Sequence, residues 1–219
     1  LTAYAAALEE IATASRRAES GDEAAYVGAL EAAGARLAAL RERTEHPVVR
    51  EQLDGHLAEG KEARRGMVAQ WQWHAQLRGK PAPDFSIEDL KGKRHALRDY
   101  RGKVVVLDFW YADCFWCIRA MPALRGLAAR PGVAVLGMNT DRNPEEARQV
   151  AAGMDLPYPS LRAREMAMPY RVGGAYPTTF VLDRKGVVRR IVVGFGPNLE
   201  RELAATVGEL LAEPGEEGR

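Results

Sequence analysis

Cys114 and Cys117 are the only cysteines in the 219-residue chain, and they stand as Cys-Phe-Trp-Cys. A sulfur pair at this spacing can serve three kinds of chemistry. A structural zinc site needs two further ligands, usually histidines at short spacing. His46, His56, His74 and His95 are scattered, and only His95 lies near the pair in sequence. A fixed disulfide across so short a loop removes little chain entropy, and a chain of this length does not need one. A reversible dithiol instead wants the pair at the start of a helix. The N-terminal amides then face the first sulfur, and the second is tucked behind it. The surrounding elements decide among these.

Lys103 to Trp110 is an almost continuous apolar run, the pattern of a strand buried on both faces of a parallel sheet. Ile118 to Ala129 reads as a helix following the cysteines. Pro131-Gly132 turns the chain into a second buried run, Val133 to Met138, and Pro144 opens a short helix to Ala152. Thr178 to Leu182 and Val187 to Val193 form a hairpin about Asp183-Arg184-Lys185-Gly186. Leu199 to Leu211 closes the domain with apolar residues at helical spacing. Ahead of these, Pro81 to Phe85 is an extended lead-in, and Ser86 to Leu90 with Arg94 to Leu97 forms a short hairpin. The order β-α-β-α-β-β-α puts the dithiol at the C-terminal end of the first central strand, where α/β sheets carry their sites.

Residues 1–78 have a different texture. They are Ala-rich, lack strand-like alternation, and repeat apolar residues at helical spacing, as at Leu30, Leu37 and Leu40. Breaks at Ser20-Gly21-Asp22 and Glu45-His46-Pro47 predict two or three antiparallel helices forming a separate all-α domain. Ten basic and twelve acidic residues make its surface ordinary. Trp71 and Trp73 are placed to seal it against the next domain, 79–213, and residues 214–219 are expected to be a disordered tail. Over the whole chain 31 basic residues face 30 acidic ones, which gives no reason to expect nucleic acid or an anionic membrane surface as partner. A run of about 18 apolar residues, the minimum for a span, is missing. The chain starts at Leu1 without a signal-like segment, so an export signal or membrane anchor is expected to have been removed.

The stretch from Val106 to Leu124, Val-Leu-Asp-Phe-Trp-Tyr-Ala-Asp-Cys-Phe-Trp-Cys-Ile-Arg-Ala-Met-Pro-Ala-Leu, resembles the active-site segment of the thioredoxin superfamily. It is most similar to the TlpA/ResA-like branch of bacterial envelope thiol-disulfide oxidoreductases. Ala82-Pro83-Asp84-Phe85, Met138-Asn139-Thr140-Asp141 and Tyr176-Pro177-Thr178-Thr179-Phe180 match as well. The resemblance implies a thioredoxin-like α/β fold, a central mixed sheet flanked by helices, behind the all-α N-terminal domain. It further implies that Cys114 is the nucleophile and that Pro177 is a cis proline beside the dithiol. The Tyr176 backbone would pair there with a bound substrate strand. Asp108 matches a buried acid of thioredoxin. An isolated carboxylate on a buried strand has a raised pKa and could accept the Cys117 proton; bonded to backbone at the strand's end, it would be structural. Trp110, Tyr111, Phe115, Trp116 and Tyr176 are candidates for an apolar apron on which an extended protein segment docks; Trp110 suits the core better than the apron, and Tyr111 could also be core.

Three departures bear on tuning. Asp113 stands where the branch commonly has Trp, and its charge would raise the Cys114 pKa if it faces the sulfur. Phe115-Trp116 replaces the common Gly-Pro, so the Trp116 amide restores a donor. Ala120 stands where Glu is frequent. The Ala-Pro-Asp-Phe lead-in also occurs in peroxiredoxins, but Tyr111 occupies the position three before Cys114 where those enzymes carry Thr or Ser. A copper-binding scaffold of the same fold would need a His or Met near Pro177; Met121 and Met168 are the available donors. The resemblance thus implies a protein disulfide oxidoreductase that works outside the cytoplasm and reduces disulfides of envelope proteins; the alternative is a redox-inactive or copper-binding scaffold of the same fold. The oxidoreductase would use protein disulfides or dithiols and an upstream thiol donor, with no metal and no cofactor beyond the cysteine pair.

Overall fold

The computed structural model describes residues 23–173, 176–196 and 198–214. The chain divides into two compact units, Leu1–Gln72 and Trp73–Arg219. The expected break at residues 20–22, the apolar positions before it and the final residues 215–219 of the expected tail lie outside the described residues.

In the first unit, α1 (Glu23–Arg43) is followed by α2 (Pro47–Leu77), whose last five residues belong to the second unit. Pro47 opens α2 because a first-turn residue needs no amide partner and its fixed φ suits a helix. Leu37 and Leu53 are buried against each other with Leu40 and Leu57 packed beside them, so α2 folds back on α1. The Arg41–Asp54 ion pair at 2.8 Å spans the same turn but is half exposed, and contributes little. The division falls within α2 because Trp73, His74 and Leu77 find their neighbours in the second unit. Arg171 lies 4.3 Å over the Trp73 ring, and Leu77 packs on the second unit's core.

The second unit opens with a hairpin of β1 (Ser86–Glu88) and β2 (Arg94–Ala96). Its turn is held by Asp89, whose Oδ1 accepts the amides of Lys91 and Lys93. Five further strands form a mixed sheet in the order β5-β4-β3-β6-β7. They are β3 (Val104–Trp110), β4 (Val133–Asn139), β5 (Ser160–Arg162), β6 (Thr178–Leu182) and β7 (Val188–Val193). β3 runs parallel to β4 and antiparallel to β6. All seven of its residues are buried, which is why its sequence is apolar on both faces. The sequence reading missed β5, whose three residues are too few to show a pattern.

Side chains alternate across β3. Val105, Leu107 and Phe109 join a core with Phe180, Tyr170 and Leu136. Val104 and Val106 face the other way, onto α3 (Phe115–Ala128) through Leu124 and Leu127 and onto α5 (Leu199–Ala212) through Leu203 and Val207. A shorter helix, α4 (Pro144–Gly153), follows β4. Its N-cap Asn143 accepts the Glu145 amide at 3.1 Å. Among the described residues no helix is long and apolar enough to cross a membrane.

Candidate active site

β3 ends at Trp110, and the chain reaches α3 through Tyr111, Ala112 and Asp113. Cys114 is the N-cap of α3, so the pair stands at the start of a helix as expected, and the helix begins at Phe115, three residues before the expected Ile118. Its amide donates to the Tyr111 carbonyl at 3.1 Å. Its sulfur accepts the Cys117 amide at 3.1 Å. A sulfur at this place meets the positive end of the helix dipole and an amide that α-helical bonding leaves unpaired. The amide reaching the sulfur is that of Cys117; the one expected to help was that of Trp116. Cys114 and Cys117 are joined as a disulfide, with Cys114 4% exposed and Cys117 fully buried.

Two contacts fix the approach to Cys114. Asp141 accepts the Ala112 amide at 2.9 Å, and Asn139 Nδ2 donates to the same carboxylate at 2.7 Å. Trp110 is core, 1% exposed, and its Nε1 donates to Ser160 Oγ at 3.0 Å. The indole crosses β4 at Gly137, where a Cβ would lie 2.9 Å from both Trp110 Nε1 and Ser160 Oγ. Glycine is therefore required there. Of these supports Trp110 was singled out from the sequence, and Asn139 and Asp141 stood only as matched motif letters; Gly137 and Ser160 were missed because their roles depend on strand register.

Asp108 lies within β3, not at its end, on the face shared with Val106 and Trp110. Register pairs it with Thr179 of β6, and the Thr179 hydroxyl donates to Asp108 Oδ1 at 2.8 Å. Both residues are about 1% exposed. Burial pushes the Asp108 carboxyl up to about 7, and the Thr179 hydrogen bond acts against that rise. Tyr158 is close enough to feel the Asp108 charge; burial, then that charge, raise its phenol well above the ordinary range.

The Tyr176–Pro177 peptide bond is cis. Pro177 is buried and its carbonyl accepts the Gly194 amide at 2.7 Å. Tyr176 packs against the cluster of Cys114, Cys117, Trp110 and Met121, with its ring edge-on to Tyr111 at 5.0 Å. Phe115 and Trp116 point outward, 61% and 52% exposed. Trp116 stacks on Phe195 at 5.7 Å, and Arg119 sits near the rings of both Phe115 and Phe195. Asp113 is exposed to solvent, Ala120 is buried in the core, and Met168 is 71% exposed. Among the described residues no group of three or more His, Cys, Asp or Glu side chains is arranged to hold a metal.

A mixed sheet with a cysteine pair at the mouth of its first crossover helix defines the class: a thioredoxin-fold thiol-disulfide oxidoreductase. Residues 78–191 match the AhpC/TSA family, and the chain belongs to that family. It is 37% identical over 120 residues to thiol-disulfide oxidoreductase ResA of Geobacillus thermodenitrificans, covering 53% of this chain and 69% of ResA. It is 36% identical over 130 residues to thioredoxin-like protein YneN of Bacillus subtilis, covering 57% of this chain and 76% of YneN. Among solved structures, a Chlorobium tepidum protein assigned as thiol:disulfide interchange protein DsbE aligns with a TM-score of 0.58 and 29% identity. That alignment covers 62% of this chain and 98% of the other. The relatives' names are those of disulfide-exchange proteins, in keeping with Tyr111 standing where peroxiredoxins carry Thr or Ser.

Proposed function

We propose that the chain reduces disulfides in proteins outside the cytoplasm, through a mixed disulfide on Cys114. The observation that carries this reading is the Cys114 sulfur at the N-cap of α3, accepting the Cys117 amide. That environment favours the thiolate, the form that attacks disulfides. The Cys114 thiolate attacks one sulfur of the partner disulfide, forming a Cys114–partner bond and expelling the other partner sulfur as thiolate. Cys117 then passes its proton to Asp108 and attacks Cys114, releasing the second partner thiolate and closing the Cys114–Cys117 disulfide. Two electrons pass from the dithiol to the partner. The cysteine pair is itself the electron carrier, and an upstream thiol donor restores it.

Asp108 suits the acceptor role because it lies on the face of β3 that α3 covers and has a proton affinity near neutrality. Tyr176 packs against the cysteine cluster, in keeping with the resemblance, which has its backbone pairing with an extended substrate strand, and Phe115 and Trp116 supply exposed aromatic surface. The extracytoplasmic assignment is supported by the relatives and by the absence of any further thiol to mispair.

The test is the reduction potential of the pair, equilibrated against glutathione or dithiothreitol and read by thiol alkylation. A value at or below about −250 mV fits a reductase, whereas one near about −120 mV makes the protein an oxidant and overturns the direction of flow. Cys117→Ser should accumulate the mixed disulfide with a protein partner on a non-reducing gel.

A further inference from the structure

Beside the dithiol, the edge of the sheet carries a second feature. Trp110 pairs in register with Asn139, and Asn139 with Arg162, so β3, β4 and β5 end side by side. Adjacent strands lie about 4.8 Å apart, which sets the Arg162 backbone about 10 Å from that of Trp110. A cavity of about 390 Å³ opens at this edge, with Arg142, Arg162 and Arg164 on its lining. All three are exposed, and among the described residues none of them makes a hydrogen bond or ion pair.

The carboxylates on the cavity wall offset these cations only in part. Glu88 is held by Arg94 at 2.9 Å. Asp141 is held by the Ala112 amide and Asn139. Asp141 and Glu165 keep their charge against the three guanidinium groups, which leaves the lining net positive. Asp141 also ties the cavity wall to the segment that leads into Cys114, so the recess and the reactive sulfur share one support.

Guanidinium groups present planar donors that match carboxylates in pairs. A recess of this size two strands from the end of β3 is suited to a chain segment; a flat lipid surface would touch only its rim. An extended chain advances about 3.3 Å per residue, so a segment reacting at Cys114 reaches the recess with residues about three to six positions from its own cysteine.

We infer that this recess is a docking subsite for an acidic segment flanking the cysteine of the partner protein. The inference rests on the disulfide-exchange reading above and names the class of substrate that the same site selects. Arg142, Arg162 and Arg164 draw the acidic segment in, and the recess sets its register against Cys114.

Three disulfides test this against the reduced protein. Two are synthetic peptides of one common core, carrying three Glu or three Lys about four residues from the cysteine. The third is the uncharged bis(2-hydroxyethyl) disulfide. The wild-type protein should prefer the acidic peptide in kcat/KM by about tenfold or more at low ionic strength, with the preference shrinking as salt is added. The double variant Arg162→Glu, Arg164→Glu should bring the ratio of the two peptides to parity or reverse it. That ratio is independent of any general loss of activity, and the exposed positions leave folding undisturbed. Equal kcat/KM for the two peptides in the wild type overturns the subsite, as does a preference that survives the double variant. Binding to anionic vesicles that the double variant loses, without peptide preference, assigns the patch to a membrane and also overturns it. Wild-type protein inert toward the uncharged disulfide sinks the exchange reading, and the subsite with it. Intact turnover of that disulfide with no peptide preference sinks the subsite alone.

Discussion

Each face of the central sheet buries a group that titrates between the acid and neutral ranges, an acid on one and a base on the other, and the same desolvation moves the two in opposite directions. On the face covered by α3 and α5, Asp108 is pushed up to about 7. On the opposite face His74, the buried residue near the end of α2, is pushed down to about 4 by burial, with the Tyr170 carbonyl acting against that shift. Its Nε2 donates to that carbonyl at 3.3 Å, its ring stands edge-on to Phe180 at 5.3 Å, and its Nδ1 has no partner among the described residues. Burial disfavours charge in both cases. It therefore brings the acid to the pH at which it can exchange a proton and takes the base away from it. Phe180 and Thr179 are adjacent on β6 and divide the same way: one packs on His74, the other holds Asp108. Burial alone makes neither residue a site. What would make Asp108 one, on the reading proposed above, is that the helix covering its own face is the one that begins at the paired sulfurs.

The largest expected break in this comparison is Asp108→Asn. If Asp108 takes the Cys117 proton, reduction of a protein disulfide should slow by about 10²-fold near neutral pH. The wild-type rate should rise with pH through about 7 as the carboxylate forms, and the variant should lose that limb. Stability should move the other way. Between about 4 and about 7 the folded chain holds a proton that the unfolded chain gives up, so the Asp108 contribution falls as pH rises through that window. At pH 8 the variant should be more stable by up to roughly 4 kcal/mol, in urea denaturation, with the gain fading toward pH 4. Thr179→Val sharpens the point: without its donor the acid should titrate still higher, and the rising limb should shift with it. A slower but unshifted profile would give Asp108 a structural role only.

On the opposite face, His74→Leu should leave disulfide reduction nearly unchanged. Its signature is in acid. Below pH 6.5 the unfolded chain gains a proton that the buried imidazole refuses until about 4, so the wild type loses stability as pH falls across that window. The Leu variant should lack that loss, which amounts to about 3 kcal/mol at full burial. Asp108 and His74 thus contribute opposite slopes between about 4 and 6.5, and the stability differences of the two variants from wild type should change with pH in opposite directions.

Much of this was legible in the sequence, for reasons that also mark where legibility ends. A strand buried on both faces must be apolar throughout, so Val104 to Trp110 announced itself, and Asp108 stood out because nothing else in that run is polar. The two cysteines needed only their spacing and the strand before them. What was hidden depends on pairing across the sheet. Thr179 reaches Asp108 only because β6 runs antiparallel to β3 in that register. Gly137 is required only because the Trp110 indole crosses it to Ser160, on a strand too short to be anticipated. Asp141 appeared as a motif letter, and its hold on Ala112 requires the chain ends of β3 and β4 to meet. The arginine-lined recess follows the same rule: Arg142, Arg162 and Arg164 come from two separate segments that β4 and β5 bring to one edge.

The smallest predicted effect concerns the exposed rim of the same face. Trp116 is half exposed and stacked on Phe195, with Phe115 and Arg119 beside it. A core aromatic replaced by Ala costs about 3–5 kcal/mol, but this ring keeps too much solvent contact for that, so Trp116→Ala should change the urea midpoint little. Its effect belongs to encounter with a partner. An aromatic contact beyond simple area burial contributes about 0.5–1.5 kcal/mol, which is about a two- to tenfold loss in kcat/KM toward a protein disulfide. The loss should be larger there than with bis(2-hydroxyethyl) disulfide, which has no polypeptide flanking its sulfurs to bury against the rim. Equal losses on both substrates would mean that the stacked pair supports the geometry of the α3 N-terminus, and the aromatic rim would then belong with Trp110 as structure.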